Sequence, residues 1–250
     1  MDFNAQPKRF LGHLRKLLPM MVILWCLLSL AGGWQALIAS PSDYQQGEAV
    51  RIMYVHVPAS WLGVALYGVM AILGGLGYVL RRPLLDFSAY ALAPIGLGLT
   101  LISLVTGSIW GKPIWGTWWV WDARLTSMFI QALLYLGYIA LVRAHEDQLQ
   151  GLRMGALLLV IGAVNLPIIK GSVEWWATLH QPASLLRSKG PSLHSSMLTP
   201  LLFMTAAYGA GVLSLWMMRM EYLILRRRVL VQQQLREAPP ARVRFVERAA

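Results

Sequence analysis

What most limits the fold of this chain is a repeated feature: apolar stretches close to twenty residues long, separated by short polar segments. At a helical rise of about 1.5 Å per residue, each stretch is long enough to cross the roughly 30 Å hydrocarbon layer of a bilayer. Backbone amides find no water there, so each crossing must be an α-helix that satisfies its own hydrogen bonds. A mean hydropathy of +0.54 with only 13% charged residues fits that reading and excludes an ordinary soluble domain.

The expected class is an all-α polytopic membrane protein with six transmembrane helices, at about 17–38, 57–80, 89–109, 125–142, 154–169 and 198–218. The first run exceeds the apolar core of a signal peptide, and Leu37 spoils a small-x-small cleavage pattern, so it reads as an uncleaved helix. Pro58 is expected in the first turn of the second span; Arg81, Arg82 and Pro83 close that span. Pro94 with Gly96 and Gly98 is expected to bend the third. A charged hairpin at 143–153 ends the fourth, and the short fifth stops near Asn165 and Pro167. The chain divides into an N-terminal segment 1–16, a membrane domain 17–219 and a basic tail 220–250, read as a surface-lying helix that frays after Pro239-Pro240.

The net charge of +11 does not point to nucleic acid, because the basic residues flank apolar spans instead of forming one face. They read as a topology signal. Sixteen of the 22 lysines and arginines fall on the side of the two termini, and positive charge marks the cytoplasmic face. Both termini are therefore expected inside, and the loops 40–56, 110–124 and 170–197 outside. Membrane lipid is the expected surrounding. The lone Cys26 excludes a disulfide framework or a thiolate metal site.

The outer loop at 110–124 holds five of the eleven tryptophans in fifteen residues, with Lys112, Asp122 and Arg124 among them. Tryptophan suits the bilayer edge, where its ring is in fat and its N–H in water. An interfacial belt accounts for one or two. Trp115, Trp118, Trp119 and Trp121 together are enough for a flat platform over a large planar ligand. Trp175 and Trp176, on the third outer loop, would add a second apolar wall.

Two of the five histidines, His56 and His180, fall on outer loops beside a membrane entry point. Singly, each is more simply a helix-end group than a ligand. Together at the level of the tryptophan loop, two neutral imidazoles suit the opposite axial positions of a haem iron. Arg51, Lys112, Arg124 and Lys170 are the candidate partners for its propionates, arginine best because its fork matches a carboxylate. Asp122 is placed to orient a histidine or to pair with Arg124. His13 and His145 read as solvated, and His194 lies in a polar loop. No glycine-rich phosphate loop, hydrolytic triad or carboxylate pair is present, and lysine–glutamate pairs suited to a proton-coupled pump are missing from the spans. A carrier is expected, not an enzyme.

The segment Trp110–Ser127, with its Trp118-Trp119-Val-Trp-Asp122 core, resembles the WWD signature of the haem-handling membrane proteins of cytochrome c biogenesis. Asp43-Tyr-Gln-Gln-Gly47, Tyr54-Val-His-Val-Pro58, Asn165-Leu-Pro-Ile-Ile169 and Ser172-Val-Glu-Trp-Trp176 with His180 are similar to the CcmC, or haem exporter protein C, family in particular. The likeness covers about 40–220. It implies haem b (iron protoporphyrin IX) held at the periplasmic face of a bacterial inner membrane, with His56 and His180 as axial ligands. The loop from Trp115 to Asp122, with Arg124, would lie against the porphyrin. It further implies delivery of haem to the chaperone CcmE, and assembly with the ABC transporter subunits CcmA and CcmB and the small protein CcmD. The competing classes are a bis-histidine cytochrome b-type electron-transfer subunit, a solute transporter with a tryptophan belt, and a longer haem synthase of the WWD group.

Overall fold

The computed structural model describes residues 5–180 and 193–237, and every regular element among them is a helix. The part of the third outer loop at 181–192, with Arg187 and Lys189, lies outside the described residues, as does the tail beyond 237 with Pro239-Pro240. Helix α1 spans Ala5–Trp34 and runs on through a π turn, Gln35–Ala39. A 3-10 turn at Glu48–Ile52 leads into α2, Met53–Leu80. Then come α3 (Pro83–Trp115), α4 (Ala123–Ala144), α5 (Gln148–Gly162), α6 (Asn165–Trp175) and α7 (Ser195–Glu237). Joined where they are continuous, they give six helical units long and apolar enough to span a membrane.

The units run longer than hydropathy alone suggests, because polar residues continue helices past the apolar layer. His56 and Arg51 therefore sit on the α2 unit instead of a loop, and Pro58 lies beyond the first turn of α2. Trp110–Trp115 form the last turns of α3, so only 116–122 of the expected tryptophan loop is non-helical. Gly116 ends α3 in the left-handed region at φ +76°, its N–H bonded to the Lys112 carbonyl. The charged hairpin reduces to His145–Asp147, with Asp147 Oδ1 capping α5 through Leu149 N–H. The fifth unit breaks between Gly162 and Asn165, which puts Pro167 in the first turn of α6, where a missing N–H costs no helical bond. α7 continues without interruption to Glu237, so the first part of the basic tail extends the last span.

Large apolar side chains face outward, as at Leu30, Val79 and Ile161, each at least 70% exposed. Between helices in lipid, close packing and internal hydrogen bonds replace the hydrophobic drive. Tyr135 shows both. It is fully buried, its hydroxyl donates to the Gly63 carbonyl at 2.8 Å, and a Cβ at Gly96 would collide with its ring. Tyr67 meets that ring edge to face at 5.1 Å. Asn165 ties the start of α6 to α4 by donating to the Ser127 carbonyl and to Gln131 Oε1. α1 stays peripheral on α7, held by the Arg15–Glu221 ion pair at 2.7 Å and by Trp25 over Gly211. The loops 40–47, 116–122 and 176–180 gather at one end of the bundle, where Trp110 bonds Gln46 and Asp122 bonds Leu179.

Candidate functional site

At that end a half-open cavity of about 750 Å3, counting the space open to solvent, lies between α2, α3, α4 and the segment after α6. His56, the fourth residue of α2, is on its wall, and its Nδ1 lies 3.1 Å from Thr106 Oγ1 on α3. The Thr106 hydroxyl spends its one proton on the Ile102 carbonyl at 2.6 Å. Its oxygen can then only accept, so His56 carries hydrogen on Nδ1 and leaves Nε2 with a free lone pair. Gly107 makes room: a Cβ there would stand 2.9 Å from His56 Cε1. Trp110 closes on the imidazole edge to face at 5.7 Å.

The 43–47 turn holds that tryptophan. Asp43 and Gly47 exchange backbone hydrogen bonds, Asp43 Oδ1 accepts from the N–H groups of Gln45 and Gln46, and Gln46 Oε1 accepts from Trp110 Nε1 at 3.0 Å. Gly47 supplies the positive φ, +56°, that closes the turn.

His180 reaches the cavity from the extended segment after α6. Its ring centroid lies 6.5 Å from that of His56, with the planes 36° apart, and 6.4 Å from Trp115. Thr178 Oγ1 accepts from His180 N–H at 2.9 Å. Asp122 fixes the segment from the other side. One carboxylate oxygen caps α4 by accepting from Leu125 N–H at 2.8 Å, and the other accepts from Leu179 N–H at 3.3 Å. Asp122 thus positions His180 through the neighbouring backbone.

Of the four cations considered for an anionic ligand, Arg124 lines the cavity, with Nη1 donating to the Ile169 carbonyl at 2.8 Å. Arg51 is engaged with Glu48 and does not reach the wall. Lys112 caps α3 at the Gly116 carbonyl and lies 5.9 Å over Trp118, and Lys170 is exposed on α6.

The tryptophans do not form one flat shelf. Trp110, Trp115 and Trp119 line the cavity, with Trp119 Nε1 buried and lacking a hydrogen-bond partner among the described residues. Trp119 and Trp121 meet at 78° and share Phe129 as an edge-to-face partner. Trp118 and Trp121 are exposed, as are Trp175 and Trp176, which pair with each other off the cavity wall. Ser103, Thr106 and Gly107 were not singled out in the sequence, and Trp110 was counted with the tryptophan loop without a role of its own. Their signal is a small or polar stripe at helical spacing within an apolar span.

Six membrane-length helices with an imidazole-walled cavity at one end of the bundle define a polytopic membrane protein. The family described as Heme exporter protein C matches residues 1–235. A Heme exporter protein C from Bradyrhizobium diazoefficiens is 49% identical over 225 residues, covering 90% of this chain and 85% of its own length. Those of Haemophilus influenzae and Escherichia coli K12 are 44% and 46% identical, covering 87% and 74% of this chain and 88% and 75% of their own lengths. The chain belongs to the heme exporter protein C (CcmC) family.

Proposed function

We propose that this protein carries haem for cytochrome c maturation, holding haem b between His56 and His180 at the periplasmic face of the bacterial inner membrane. The observation that carries the reading is the separation of the two rings, 6.5 Å between centroids. Two imidazoles on opposite sides of one metal, with metal–nitrogen bonds near 2 Å, set their centroids roughly 6 Å apart. Among the described residues no three His, Cys, Asp or Glu side chains come together to hold a bare metal ion. A metal already held in a macrocycle needs only two axial donors, which fits. The apolar walls suit a porphyrin, and Arg124 is the side chain suited to a propionate.

Bis-imidazole ligation saturates the iron, which favours carriage over oxygen chemistry, and no catalytic role is assigned to this chain. The excess of lysine and arginine on the side of the termini supports a periplasmic site. Exposed Trp118 and Trp121 beside the cavity form a surface on which the chaperone CcmE can dock and accept the haem. Release against two ligands calls for an energy source, which the ABC subunits CcmA and CcmB would supply, with CcmD in the assembly. Position near the mouth of the bundle, instead of mid-span, favours carriage over electron transfer within a cytochrome b-type subunit.

Mixing haem-loaded protein with apo-CcmE tests the reading. Movement of haem to the chaperone, faster when CcmA and CcmB hydrolyse ATP, is expected. Haem that stays bound while cycling reversibly with a quinol would overturn carriage in favour of electron transfer.

A further inference from the structure

The opposite end of the bundle holds a second hollow, about 850 Å3 counting the space open to solvent, walled by Tyr90, Arg143, Arg219, Tyr222, Leu223 and Arg226. Three helices meet there. Arg219, Tyr222, Leu223 and Arg226 follow one face of α7 at i, i+3, i+4 and i+7, Arg143 is next to last in α4, and Tyr90 lies two turns into α3. Among the described residues none of these three arginines is in an ion pair. Arg219 Nε donates to the Ala91 carbonyl at 3.1 Å, and nearby Glu221 is already held by Arg15. Like charges gathered where a bundle meets the bilayer edge repel one another unless an anion joins them.

The level of the hollow narrows the choice of anion. Tyr90 is about 10 Å of helix in from the start of α3, where spanning helices pass from the headgroup layer into the acyl layer. Arginine reaches that layer with an apolar stem and a charged head. Leu223 is buried at the base of the hollow, while the guanidinium groups and the two phenol hydroxyls suit phosphate oxygens, and exposed apolar residues further along α7, such as Val229 and Leu230, suit acyl chains. Basic pockets between spanning helices on the cytoplasmic side commonly take anionic headgroups.

We propose that Arg143, Arg219 and Arg226 form a site for a phosphate group, supplied by an anionic phospholipid of the leaflet on the side of the termini. The site is independent of the haem-carrying cavity. Occupied, it joins the inner ends of α3, α4 and α7.

The test uses the full chain, purified in detergent and stripped of lipid, with thermal unfolding and native mass spectrometry as readouts. Phosphatidylglycerol is expected to raise the unfolding midpoint and to remain bound, whereas phosphatidylcholine does neither. The R143Q/R226Q variant is expected to bind phosphatidylglycerol roughly thirty-fold more weakly, two interfacial cations having been removed. R81Q/R82Q, with the same loss of charge on the same side but outside the hollow, keeps wild-type binding. Inorganic phosphate separates the sources: no shift up to the concentration at which the lipid saturates supports the leaflet, and an equal shift overturns the lipid assignment. Equal stabilisation by the two lipids, or unchanged binding in R143Q/R226Q, overturns the site itself.

Discussion

Thr106 accepts a hydrogen bond from His56 Nδ1 at 3.1 Å while its own proton goes to the Ile102 carbonyl at 2.6 Å. That bond, beside the Ser103 backbone that also hydrogen-bonds the His56 ring, places hydrogen on Nδ1 and leaves Nε2 as the nitrogen able to bind a metal. Replacing Thr106 with valine keeps the shape and removes the acceptor. Haem affinity of T106V is expected to fall about 10–100-fold, the usual cost of losing the partner behind a ligating histidine. T106S, which keeps the hydroxyl, is expected to retain most of it. Haem titration followed by absorbance checks both, and equal affinity of T106V and wild type would contradict the tautomer argument.

Gly107 lets the His56 ring lie against the α3 backbone. G107A is expected to displace the ring and lower haem occupancy while leaving helix content by circular dichroism unchanged. A fully occupied G107A would show that the ring has room to spare.

Asp122 joins α4 to the segment that carries His180. D122A loses both bonds and is expected to cost about 1 kcal/mol from the helix cap, with weaker haem retention on top. In D122N the side-chain oxygen can still cap α4, but the amide nitrogen cannot accept from Leu179, so the cap and His180 positioning separate. Thermal unfolding reads the first effect and haem retention the second. Loss of stability with no loss of haem would reduce Asp122 to a cap.

Trp118 and Trp121 are exposed and absent from the cavity wall, whereas Trp115 and Trp119 line it. W118A/W121A is therefore expected to keep its haem spectrum and to slow transfer to CcmE, while W115A weakens retention itself. Normal transfer in the double variant would remove the docking role of the exposed pair.

The six spans were legible because length and apolarity alone define a crossing. Their ends were not, since hydropathy cannot tell a polar residue on a continuing helix from one in a loop: His56, Trp110–Trp115 and Gln148–Arg153 all read as loop and are helical. The two histidines and Arg124 were recognisable by type and position. Their supports were hidden, because the contacts Thr106–His56, Gln46–Trp110 and Asp122–Leu179 join residues 50, 64 and 57 positions apart.

The most direct test of axial ligation is the absorption spectrum of the detergent-purified protein, compared with H56A and H180A. A low-spin bis-imidazole Soret band is expected in the wild type and its loss or marked shift in each variant. A full, unshifted band in either variant would contradict the assignment of that histidine to the iron.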